Sequence, residues 1–312
     1  MGLTVALAGG VGGAKLARGL AKLLPSKKKL MIIGNTGDDL ELYGLHISPD
    51  LDILTYTLAG IVDEAKGWGI AGDTFHCLQA LKKLGAETWF KLGDRDLATH
   101  MQRTSILRNG LTLSQATAKL CKTLNVKTKI VPMSDDPVRT KIISGMRTLD
   151  FQEYFVKNKT RDTVTDVVYT DAEKAEPAPG IVEAIRTAER IVLCPSNPIL
   201  SIGPILAVNP IREELRKTKA PVVGVSPIVA GKTLRGPADK IMRSLGHRAT
   251  ALGVAELSKD FLSHFIIDEA DKKEKLQIEK LDIKVTETNT IMKNAADSIR
   301  LAETVLNATR TF

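Results

Sequence analysis

Short apolar runs rich in branched residues alternate along this chain with longer stretches whose apolar positions recur every three or four residues. Thr4 to Ala8 reads as a first strand. A helix is expected from about Gly13, with Leu16, Ala17, Leu20, Leu23 and Leu24 on one face and Pro25 just past its end. Leu30 to Gly34 and Lys129 to Val131 read as further core strands, as do Arg190 to Leu193 and Pro221 to Ser226, the last two each followed by a helix. This alternation predicts an α/β, Rossmann-like architecture: a mainly parallel sheet with helices on both faces. Two helix starts carry local signals. Asp73 is the expected N-cap of a helix reaching Leu84, with Gly85 as its stop; Thr112 and Gln115 form an expected capping box for the helix bearing Ala116, Leu120 and Leu124.

The pattern changes in the middle of the chain. Residues 146–156 and 163–170 alternate like longer strands joined by the charged turn Lys157 to Asp162, which predicts a small β-hairpin lobe inserted at about residues 145–172. From about residue 230 to 312 the chain reads as helix-rich. It closes with a helix over Thr288 to Thr309 that would bury Ile291, Ala295, Ile299, Ala302 and Leu306. Without an internal repeat or a Pro/Ser-rich linker, residues 1–312 are expected to form a single domain.

Composition narrows the classes. With 43% hydrophobic and 26% charged residues the chain is an ordinary globular one. Its net charge of +8 suits polyphosphate ligands as well as nucleic acid, but the basic residues are scattered and aromatics reach only 4%, leaving no stacking platform. No nucleic-acid partner is expected. Cys77, Cys121 and Cys194 lie far apart, so neither a disulfide framework nor a structural zinc site is indicated. No apolar run approaches membrane-spanning length and the first residues lack a signal-peptide pattern, which predicts a cytoplasmic protein without a membrane partner.

Four segments carry candidate chemistry. Gly9-Gly10-Val11-Gly12-Gly13-Ala14-Lys15 lies between the first strand and its helix, where glycines let backbone N–H groups approach a phosphate. It is neither a Walker A loop nor a strict GxGxxG, and the same glycines would serve a tight packing turn. Asn35-Thr36-Gly37-Asp38-Asp39 and Ser48-Pro49-Asp50-Leu51-Asp52 follow the second strand. Loops at the carboxyl ends of parallel strands converge on the ligand crevice, so these aspartates suit Mg²⁺ or the activation of an acceptor hydroxyl; singly, each could be a cap or turn residue. Lys91-Leu92-Gly93-Asp94-Arg95-Asp96-Leu97-Ala98-Thr99-His100 could clamp a diphosphate while Asp94 caps its helix, or form a surface salt-bridge turn. Pro195-Ser196-Asn197-Pro198 and Ser201-Ile202-Gly203-Pro204 place a Ser-Asn pair directly after an apolar strand. No Ser-His-Asp order, HExxH or paired cysteine supports covalent or zinc catalysis.

Together these segments, with Trp68-Gly69-Ile70, Val225-Ser226-Pro227-Ile228 and Gly236-Pro237-Ala238, resemble the 2-phospho-L-lactate transferases of coenzyme F-420 biosynthesis over most of the chain. The resemblance implies a Rossmann-like homodimeric enzyme with a Mg²⁺-dependent step. Its donor would be lactyl-2-diphospho-5′-guanosine or the enolpyruvyl analogue, its acceptor the ribityl hydroxyl of the deazaflavin Fo, and its by-product GMP. Carried over by motif, Asp52 and Lys91 are the Fo-binding positions, and Asp38 and Asp50 the metal ligands. Gly9, Gly10, Gly12, Gly13, Lys15, Ser196 and Asn197 form the nucleotide side, while Asp50, Asp52 and Arg95 are the catalytic candidates. A nucleotide-sugar-binding regulator of the same fold is the alternative, and a dinucleotide-dependent oxidoreductase a third reading; the acidic and Asp-Arg-Asp segments favour the transferase.

Overall fold

The computed structural model describes residues 2–309. Its centre is a seven-stranded sheet, made of β1 (Leu3–Ala8), β2 (Leu30–Gly34), β3 (Lys129–Pro132), β4 (Ala188–Leu193), β5 (Val222–Val225), β6 (His264–Asp268) and β7 (Lys284–Thr288). Every neighbouring pair is parallel, and the order across the sheet is β3-β2-β1-β4-β5-β6-β7. The chain winds outward from β1 through β2 to β3, then returns to the other side of β1 and winds the opposite way. Loops leaving β1 and β4 therefore diverge, and the gap between them is the position where open α/β sheets hold their ligands.

Both faces of the sheet are covered, which is why its strands are nearly continuous apolar runs rather than alternating ones. Along β1, Val5 and Leu7 join one core layer while Ala6 and Ala8 join the other. Helices Gly10–Leu23, Pro49–Ala59, Leu113–Thr123 and Ala295–Ala308 contribute to the second layer. The first and last of these approach closely at Gly19, where a Cβ would fall 2.0 Å from the Ser298 carbonyl oxygen. Only glycine permits that crossing. Among the described residues no helix is long and apolar enough to cross a membrane.

The expected core strands and the Thr112–Gln115 capping box are present, and Gly85, at φ +88°, follows the helix that stops at Leu84. Three expectations change. The expected long hairpin is instead a three-stranded antiparallel sheet, Arg147–Asp150, Arg139–Ser144 and Asp166–Thr170, whose turn falls at Gly145-Met146. The chain then coils helically over 153–157 because Phe151 and Tyr154 are buried at helical spacing, and Phe155 stacks on Phe151. The stretch beyond residue 230 also supplies β6 and β7, which its charged surroundings disguise. Its last helix starts at Ala295, under an Asn294–Asp297 capping box, and buries Ser298, Leu301, Ala302, Val305 and Leu306; Ala295 is exposed, and so is Leu23 at the end of the first helix.

Gly19→Ala is expected to destabilise the fold by about 2–4 kcal/mol by forcing these two helices apart. Thermal melts would show it, and an unchanged Tm would mean that the backbones separate freely.

Candidate active site

At the end of β1 the chain is extended at Gly9, turns at Gly10 with φ +64°, and enters its helix. The Gly9 N–H donates to Ser196 Oγ (3.1 Å), whose hydroxyl donates back to the Gly9 carbonyl (2.8 Å). This stitches the β1 loop to the β4 loop across the gap in the sheet. The Gly10 N–H donates to Asp50 Oδ1 (2.8 Å). A Cβ on Gly9 would lie 2.4 Å from Asp50 Oδ2, and one on Gly12 2.4 Å from the Pro195 carbonyl. These two glycines are therefore required because other loops press against the turn. Asn197 spends its Oδ1 on the N–H groups of Ile199 and Leu200 (both 3.0 Å), capping the coil that follows.

Asn35, at the end of β2, gathers the acidic residues. Its Nδ2 donates to Asp50 Oδ2 (2.9 Å) and to the Leu200 carbonyl (3.3 Å), and its Oδ1 accepts from Gly37 N–H (2.8 Å). Asp38 and Asp50 are both buried, and among the described residues neither forms an ion pair with a cation. Burial, followed by the charge of Asp50, pushes Asp38 well above the ordinary carboxyl range. Burial likewise raises Asp50 to about 6, against the opposing hydrogen bonds from Asn35 and Gly10. Asp38 Oδ1 lacks a hydrogen-bond partner, and the buried Thr140 hydroxyl from the antiparallel lobe faces this carboxyl.

The other acids of the cluster carry internal compensation. Asp39 Oδ2 is met by His46 Nε2 (3.0 Å) and accepts from the Ser48 hydroxyl (2.8 Å). Asp52, two residues after Asp50 on helix Pro49–Ala59, is gripped by both Nη groups of Arg103 from helix Asp94–Arg108. Arg103 is 2% exposed; burial is the largest influence and lowers its pKa, but Asp52, Tyr56 and Asp39 together raise it above the ordinary value. His100 and Asp96 lie on the same helix face, and Tyr56 donates to Asp96 Oδ1 (2.8 Å).

The structure thus brings Gly9, Gly10, Asp38, Asp50 and Ser196 together, with Asp52 two residues beyond Asp50, about half a helical turn round, held by Arg103. Other candidates point elsewhere. Lys15 Nζ donates to the Met292 carbonyl (2.7 Å), and burial and the nearby Arg235 lower its pKa. Arg95 is exposed and bonds the Ala71 carbonyl; Lys91 is exposed in the preceding segment. The two expected caps are exchanged. Asp73 accepts from the N–H groups of Arg95 (2.9 Å) and Asp96 (3.0 Å), whereas Asp94 accepts from those of His76 and Cys77 (both 3.0 Å). Each aspartate caps the other's helix, because the two helix starts abut.

Two groups could hold a cation. Asp52, Asp96 and His100 offer ligand atoms within 4.8 Å of one another, but Arg103 already supplies positive charge there and covers both Asp52 oxygens. Asp38 and Asp50 offer hard oxygens, an unpartnered Oδ1 and no internal counter-charge, the donor set that suits Mg²⁺. Sequence reading passed over Asn35 as a bridge, and over Arg103 and Thr140. The signal for Arg103 was available: Asp96, His100 and Arg103 fall at i, i+4 and i+7, a helix face that is ordinarily apolar.

Comparison with known proteins follows the same lines. The family model described as 2-phospho-L-lactate transferase CofD matches residues 4–306. A phosphoenolpyruvate transferase from Kitasatospora aureofaciens is 42% identical over 97% of this chain and 96% of its own length. A 2-phospho-L-lactate transferase from Methanosarcina mazei is 39% identical over 97% and 99%. A crystal structure of a UPF0052-family protein from Bacillus halodurans superposes with a TM-score of 0.67, covering 98% of each chain at 16% identity, which shows the shared fold. A Rossmann-like sheet with loops converging on an acidic crevice, in a chain so matched, defines an enzyme of the transferase class. The chain belongs to the 2-phospho-L-lactate transferase CofD family.

Asp38→Asn removes one of two mutually repelling buried charges and is expected to stabilise the protein at neutral pH by about 1–3 kcal/mol. Folding raises both carboxyls, so from about pH 4 upward the folded state keeps protons that the unfolded chain has lost, Asp50 up to about 6 and Asp38 in the same direction. Stability of the unmodified protein should therefore fall as pH rises through that window, and the variant's advantage should shrink towards pH 4. Melts across pH that show no such convergence would contradict the charge pairing.

Proposed function

We propose that the protein transfers a phospholactyl or phosphoenolpyruvyl group from a guanosine-diphosphate-type donor to the ribityl hydroxyl of Fo, releasing GMP, in coenzyme F-420 biosynthesis. Family membership supports the transferase chemistry, and relatives of both names match at nearly equal identity, 42% and 39%. The observation that carries the reading is the uncompensated Asp38–Asp50 pair in contact with the glycine turn at the sheet's switch point.

In this reading the nucleotide end of the donor lies against the Gly9–Gly13 turn and the Ser196 loop. The ribityl oxygen attacks the lactyl-side phosphorus. A new P–O bond forms, the bridging P–O bond breaks, and GMP departs with the bridging oxygen. The hydroxyl proton passes to Asp50, whose carboxylate near pH 6 is a usable base. Asp52 is not given that part, because both of its oxygens already accept from the Arg103 guanidinium; it is left as an acceptor-binding group with Lys91. Mg²⁺, held by Asp38 with Asp50 beside it, would supply charge neutralisation at the transferring phosphorus. Arg95 lies too exposed to be assigned a contact with the reacting atoms and serves the helix junction.

Purified protein incubated with Fo, Mg²⁺ and each guanylylated donor should give an Fo phosphodiester and GMP, identified by mass. No Fo-derived product with either donor would reject the reading, and retention of a nucleotide sugar instead would favour the binding-protein alternative. Asp50 has to be ionised, so kcat/KM should decline towards acid pH, with an inflection that moves down as Mg²⁺ approaches saturation because a neighbouring cation favours the carboxylate; a rate independent of both pH and Mg²⁺ in that range would remove Asp50 from the role. Asp52→Ala should abolish transfer and also destabilise the fold by about 3–5 kcal/mol, because it strands Arg103 in the interior. Denaturant melts would detect this, and an unchanged midpoint would show that the pair is not buried in solution.

A further inference from the structure

Arg103 is an expensive way to join two helices. Apolar side chains of similar volume would hold helices Pro49–Ala59 and Asp94–Arg108 together at least as well as a buried ion pair does. The polar groups instead form a ring with a gap between His100 and Asp96. Arg103 Nη1 lies 3.2 Å from Asp52 Oδ2 and 3.3 Å from His100 Nδ1, and Nη2 bonds Asp52 Oδ1. Arginine has only donors, so this contact requires His100 to present a lone pair at Nδ1 and carry its proton on Nε2. That nitrogen faces Asp96 Oδ1 at 3.3 Å, off the line of a formed hydrogen bond. Asp96 is fixed in turn by the Tyr56 hydroxyl (2.8 Å) and through its N–H to Asp73 (3.0 Å). Burial and the two nearby aspartates raise the Tyr56 pKa, which keeps it a donor. Tyr56 stands one turn after Asp52, so the ring returns to the helix on which it began.

Such a ring fixes the plane and rotamer of one carboxylate. We propose that Arg103, aligned by His100, is a positioning residue that holds Asp52 as a fixed hydrogen-bond acceptor for the acceptor substrate's hydroxyl. This rests on reading Asp52 as an acceptor-binding group. Arg103 acts through Asp52, so it governs acceptor binding and leaves the donor side, built on the glycine turn, untouched.

The test compares Arg103→Lys, which keeps the charge but loses the planar fork, with Arg103→Ala assayed with and without added guanidinium chloride. Acceptor and donor KM are measured separately, and Fo affinity by fluorescence titration without donor. Acceptor KM and Kd should each rise by about tenfold or more in Arg103→Lys, donor KM should stay within about twofold, and guanidinium should restore Fo binding to Arg103→Ala. The double variant Arg103→Met/Asp52→Asn removes both charges, so it should keep its Tm yet lose Fo binding even if Arg103→Ala fails to fold. Equal losses on both substrates, wild-type Fo affinity in Arg103→Lys, or Fo binding by the double variant would overturn the role. If the unmodified protein bound no Fo, the acceptor assignment would fall first and this role with it; unaltered binding in the variants removes this role alone.

Discussion

Charge burial at the switch point of the sheet governs the arrangement of everything around it. Asp38, Asp39, Asp50 and Asp52 are all buried within a short stretch of chain, and buried carboxylates are tolerated only when paired, hydrogen-bonded or protonated. The molecule meets this constraint in two ways. Asp39 and Asp52 receive His46 and Arg103 from the protein itself. Asp50 receives only the neutral donors Asn35 and the Gly10 amide, Asp38 has an unpartnered Oδ1, and burial makes both take up protons more readily. The same unfavourable pairing that weakens the fold is what makes the second pair available for chemistry.

The scaffold was largely legible in the sequence because its signals are local. Strands buried on both faces appear as apolar runs, so β1, β2 and β4 could be read directly, and capping at Thr112 depends on two residues three apart. Errors arose where a decisive contact was distant. The segment after Leu149 alternates well enough to suggest a strand, yet Phe151 and Tyr154 are recruited into the core and coil the backbone. The edge strand β7 is mostly polar and only half buried, so it lacks the apolar run that marks its neighbours.

The crevice was legible in part. Its aspartates and glycines were visible because they cluster in loops after predicted strands. Their division into compensated and uncompensated pairs was not, since it depends on Arg103, 51 residues from Asp52, and on a lobe that delivers Thr140 beside Asp38. Lys15 shows a partner that sequence does not reveal: a lysine following a glycine loop suggests a phosphate ligand, and in the fold its ammonium donates to the Met292 carbonyl. Charge near a motif is a weaker signal than the partner that charge finds in the fold.

The contact at Gly19 has a bearing on how the chain is assembled. The helix carrying the glycine turn packs against Ser298 and Ala302, and Lys15 is tied to Met292, so its inner face is completed by the last helix of the described chain. During synthesis from the amino terminus, the glycine motif emerges about 280 residues before the helix that completes its packing, and must wait for it. Order in the glycine turn thus depends on the helix Ala295–Ala308, and a chain cut short before residue 292 would carry the full glycine motif on a helix with one side open.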